Sequence, residues 1–161
     1  MEPVKLAADL RAFGESVIPG NDDLWIERLR PQLPSEPLSE TFLSASLAPL
    51  SVHGRSLVLE LLARMGRREV AGLAAALVPE ANGAERISLA LALAECGDSR
   101  GFGVFEDLYR YSLDHPGDSP RSVPLDWITE DTLHDELGTE AALELRRRLI
   151  ALEAERRSRR N

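Results

Sequence analysis

Cysteine occurs once in the 161 residues, histidine three times, and the aromatics amount to four phenylalanines, two tryptophans and two tyrosines. The lone Cys96 excludes an internal disulfide and any multi-cysteine metal site. Its apolar, helix-like surroundings predict a small buried thiol without redox chemistry. Of His53, His115 and His134, only His134 has an acid, Glu130, one helical turn away, and no third ligand stands at a recognisable metal spacing. Asp114 and His115 are neighbours in a Pro-Gly turn and point apart, so Asp114 is expected to support the turn rather than to move protons. The "GFG" at 101–103 has neither the preceding strand nor the Lys-Ser/Thr pair of a phosphate loop. No catalytic residue, cofactor or metal is therefore expected.

Long apolar runs are missing too. No stretch approaches the roughly 18 to 20 residues of a membrane-crossing helix, and "MEPVKLAADLRAFGESV" lacks the basic-then-apolar layout of a signal peptide. The expectation is a cytoplasmic chain without a membrane partner. Alternating runs of Val, Ile, Thr or aromatics are absent, so a sheet has nothing to be built from.

What is abundant is acid, and it is unevenly placed. The formal net charge is −8. Residues 101–145 carry eleven acids against Arg110 and Arg121, a net −9, whereas residues 146–161 carry seven arginines against Glu153 and Glu155, a net +5. An acidic block repels phosphates and attracts a basic protein. The terminal "RRSRR" is expected to be a frayed helix end, where cations suit the backbone dipole.

Helical spacing runs through nearly every segment, which predicts an all-α fold in one domain, 1–161. Val4, Leu6, Leu10 and Phe13 lie near one stripe. Asn21 is placed to cap a helix that holds Asp22 and Asp23 in its first turn and ends at Pro31. Together with a helix from about 39 to 47, these make N-terminal hairpins over 1–50. Helices follow at about 52–65, 68–78, 84–96 and 101–114. "HPGDSPRSVP" holds three prolines in ten residues and opens a loop over 115–128. A short helix near 129–137 and a long one from about Thr139 complete the C-terminal part, 129–161.

One helical unit occurs twice. Shifted by 31 residues, "RSLVLELLARMGRREVAGLAAAL" (55–77) lies over "RISLALALAECGDSRGFGVFEDL" (86–108) without a gap. Arg55 falls on Arg86, Val58 on Leu89, Leu62 on Leu93 and Gly66 on Gly97. Each first helix keeps apolar residues three and four apart, and each glycine can end a helix in the left-handed conformation. A fixed period of this length suits a stacked α-solenoid. "R-x-x-L-A-x-A-L-A-E-C-G-D-S-R-G-F" resembles a bacterial HEAT-like repeat, in which an arginine opens an Ala/Leu-rich helix that runs into Gly-Asp and a second helix. The resemblance covers two repeats over 53–114, roughly 60 of the 161 residues. It implies a HEAT-like superhelix of helical hairpins, scaffolding rather than chemistry, and a concave binding face made by the second helices, 68–78 and 101–114.

The candidate partner-binding surface follows from the acids and the few aromatics. Glu106, Asp107, Arg110 and Asp114 are expected on the side of helix 101–114 away from Phe105, Leu108 and Ser112, with Tyr111 near their edge. The loop adds Asp118, Asp126 and Trp127. Carboxylates around one or two rings make a workable interface, the rings giving desolvated area and the acids steering a basic partner. HEAT-like DNA glycosylases would need a basic face, so nucleic acid is not the expected partner. A bilin-lyase-like chromophore cleft would need more aromatics than the chain holds. The expectation is a non-enzymatic protein-binding module, most concretely an acidic immunity-type protein that neutralises a basic toxin by occlusion. The alternatives are an adaptor or assembly factor and an enzyme with an unrecognised site.

Overall fold

The computed structural model describes residues 3–16, 22–114 and 139–160, and all regular structure among them is helical. The helices are α1 (Pro3–Gly14), α2 (Asp22–Leu29), α3 (Glu40–Leu47), α4 (Val52–Arg64), α5 (Ala71–Leu77), α6 (Gly83–Glu95), α7 (Arg100–Asp114) and α8 (Thr139–Arg160). Tight 3-10 turns span Arg30–Gln32, Arg68–Val70 and Val78–Glu80. The expected loop at 115–128 and short helix at 129–137 lie outside the described residues.

Two expectations about helix ends are corrected. The helix expected over 68–78 is broken into a 3-10 turn, the seven residues of α5 and a second 3-10 turn. Pro79 has no N–H to continue an α-helical ladder, which suits the tighter turn that contains it. At the other end of the chain, α8 does not fray into its arginines but stays helical to Arg160. Arg157 Nη2 donates to Glu153 Oε1 at 2.8 Å, an i,i+4 pair in the favoured Glu-to-Arg order in the last turns of the helix.

Start signals work as their residue types require. Ser39 caps α3 through Phe42 N, and Ser51 caps α4 through Gly54 N. Asn82 opens α6 with a reciprocal box in which its side chain accepts from Glu85 N and Glu85 Oε1 accepts from Asn82 N.

The 31-residue period reappears as repeated bonds. Ser51 and Asn82 are equivalent caps. Arg55 Nε donates to Leu47 O at 3.1 Å, and Arg86 Nε donates to Val78 O at 3.3 Å. Val58 and Leu89 are both fully buried, as are Leu62 and Leu93. Both first helices end at a left-handed glycine, Gly66 with φ 84° and Gly97 with φ 73°. The next residue then bonds back into the helix, Arg67 N to Leu62 O at 3.0 Å and Asp98 N to Leu93 O at 2.9 Å. This is the six-to-one closure that satisfies a terminal carbonyl.

Packing divides the interior into two clusters with α6 between them. α4 packs against α1 and α6, α6 against α5 and α7, and α7 against α8. Leu89, Ala92 and Leu93 of α6 join the larger cluster, which reaches back to Leu6, Leu10 and Phe13. Ala90 and Leu91 join the smaller one with Phe105, Leu108, Tyr109, Leu145 and Leu149. At the α1–α4 crossing the backbones nearly touch, because a Cβ added to Gly54 would stand 2.7 Å from Gly14 O.

Three ordered elements hold the N-terminal half. Asp9, 5% exposed, accepts from Gln32 Nε2 at 2.7 Å and pairs with Arg28 Nη2 at 3.0 Å. Arg28 in turn lies over Trp25, whose ring meets Phe13 edge-on at 5.7 Å. Arg67 ties the 33–39 connector down by donating to Pro34 O at 2.8 Å and Glu36 O at 2.6 Å.

Loss of any of three fitted residues is expected to lower stability. Leu89→Ala should cost about 2 to 5 kcal/mol through lost burial and a residual cavity. Gly54→Ala should cost about 1 to 3 kcal/mol, since backbone oxygen blocks the new methyl group. Gly97→Val should cost on the order of 1 to 2 kcal/mol for a β-branched residue held at positive φ. Urea unfolding followed by circular dichroism measures all three; midpoints equal to wild type would contradict the packing described.

Candidate functional site

α7 is the helix on which the candidate residues converge, and its amphipathic pattern decides which of them reach solvent. Phe105, Leu108 and Tyr109 are buried against α6 and α8. Tyr109 Oη donates to Glu153 Oε2 of α8 at 3.4 Å. The strip left outward is Asp107, Arg110 and Asp114, all exposed, with Tyr111 half-buried. Asp107, Tyr111 and Asp114 stand four and three residues apart and so share one face of the helix.

Glu106 does not belong to that face. It is half-buried and ion-paired with Arg148 Nε of α8, and the Arg148 guanidinium also stacks on Phe102 at 5.6 Å. The helical angle of Glu106 was legible, but the neighbour it meets comes from a helix much later in the chain. The same contact corrects the picture of two separate charge blocks. α8 brings arginines alongside the acidic region, so Arg148 takes Glu106, and Arg147 pairs with Glu144 within α8 at 2.7 Å. Asp107 and Asp114 have no ion-pair partner among the described residues. Asp118, Asp126 and Trp127 lie outside the described residues, as do His115, His134 and Glu130.

Asp107 and Tyr111 also line a pocket of about 240 Å³ whose other wall is the start of α6, with Asn82 and Arg86. One repeat earlier, a pocket of about 250 Å³ is lined by Leu47, Leu59, Leu73, Ala76 and Arg55, with Glu80 at its edge. A third depression, about 920 Å³, lies where the end of α6 and the start of α7 face α8. Its apolar lining includes Phe102, Leu143 and Ile150, and the last two are 41% and 44% exposed. Leu143 and Ile150 are seven residues apart, a helical spacing visible in the sequence but not singled out from it. Beside this groove Asp98 pairs with Arg100 Nη2 at 2.6 Å and caps Arg100 N, which holds the Asp98 carboxyl below its ordinary pKa.

Among the described residues no group of three His, Cys, Asp or Glu side chains is placed to hold a metal ion. No helix among them is long and apolar enough to cross a membrane. The chain matches no protein-family model, no curated protein and no solved structure.

Cys96 is half-buried rather than buried. As the last residue before Gly97 it sits at the C-cap of α6, where the helix turns outward, and its thiol faces Arg67 O at 3.9 Å. Burial raises the thiol pKa, and the neighbouring Asp98 carboxylate raises it further. Since the thiolate is the reactive form, alkylation of native protein near neutral pH is expected to be slower than that of a free cysteine peptide. It should then accelerate as the pH climbs into and beyond the ordinary thiol range. A rate that matched the peptide at neutral pH would contradict this environment.

Proposed function

We propose that the chain is a non-enzymatic protein-binding module of HEAT-like helical repeats whose α7 face docks a basic partner. The observation that carries the reading is the pair of exposed carboxylates, Asp107 and Asp114, on either side of Tyr111, neither with an ion-pair partner among the described residues. Their neighbours Glu106 and Glu144 spend their charge inside the protein, whereas these two leave a negative field for a partner to answer. Tyr111 supplies the ring that a short-range contact needs, half-buried and so held in a defined position. In its most concrete form the module is an acidic immunity-type protein that blocks a basic toxin by covering it. The same carboxylates repel phosphates, which weighs against nucleic acid as the partner. A second reading, an adaptor within a larger complex, is favoured by the 920 Å³ groove with its exposed Leu143 and Ile150.

Charge and ring are expected to act on different rates. With a partner captured from the native host, added salt should slow association more than it hastens dissociation, over a Debye length of roughly 8 to 10 Å. Asp107→Lys combined with Asp114→Lys should do the same while circular dichroism stays unchanged. Tyr111→Ala should instead raise the dissociation rate and cost about 2 kcal/mol of binding. An association rate indifferent to both salt and charge reversal would remove α7 from the interface; loss on Ile150→Asp alone would favour the adaptor groove.

A further inference from the structure

We draw no further inference here: the strongest candidate, the groove of about 920 Å³ in which the exposed Leu143 and Ile150 of α8 face the end of α6 and the start of α7, is lined by charges of both signs, and nothing in the structure shows what covers it.

Discussion

The last carbonyls of an α-helix have no partner within the helix, and a stack of short helices multiplies those ends. In this protein the problem is met by an arginine from the next helix. Arg55 gathers three carbonyls at the end of α3, and Arg86 takes Val78 O at the end of the following hairpin. A guanidinium suits the task because it offers several fixed donors and a cation to the negative end of the helix dipole. Each clamp sets the angle at which α4 or α6 leaves the previous element. Val58, Leu62, Leu89 and Leu93 are buried on the same two helices, and the arginines also wall the small pockets beside them.

α6 is the element both clusters need. One of its faces completes the large N-terminal core through Leu89, Ala92 and Leu93, while Ala90 and Leu91 receive α7 and α8. Small residues make this possible. Alanines at 90 and 92 let helices approach from both sides, and Gly101 crosses α6 so closely that an added Cβ would stand 2.7 Å from Ala90 O. The candidate face on α7 is thus held on a rigid support, with its inner side fastened by Phe105 and by the Glu106–Arg148 pair. Asp107, Tyr111 and Asp114 project from a helix that two neighbours position.

Much of this could be read from single residues and their spacing. The all-α fold and the glycine ends at 66 and 97 are local in origin, and local signals are what a sequence carries most directly; the caps at Ser39, Ser51 and Asn82 were equally local but were not singled out, and Asn21, the cap that was, lies outside the described residues. The 31-residue period was legible because equivalent positions face equivalent environments. What escaped depends on partners distant in the chain. Glu106 was assigned to the outer face because helical angle says nothing of α8, which supplies Arg148. Cys96 was expected inside because its neighbours are apolar, yet its place at the C-cap turns it partly outward. The groove beside Leu143 and Ile150 needs three helices to exist, so no one of them announces it.

The clamp also governs how the chain can change in length. In both units eight residues separate the arginine from its acceptor carbonyl, Leu47 to Arg55 and Val78 to Arg86. One residue more or fewer between the start of α4 or α6 and its arginine would rotate the arginine by roughly a quarter of a helical turn and carry its guanidinium off the carbonyls. Substitution within the interval is accordingly free wherever caps and buried positions are kept, while insertion and deletion are not. Changes of length in this chain are therefore expected to be tolerated in segments outside the two clamped stretches rather than inside them.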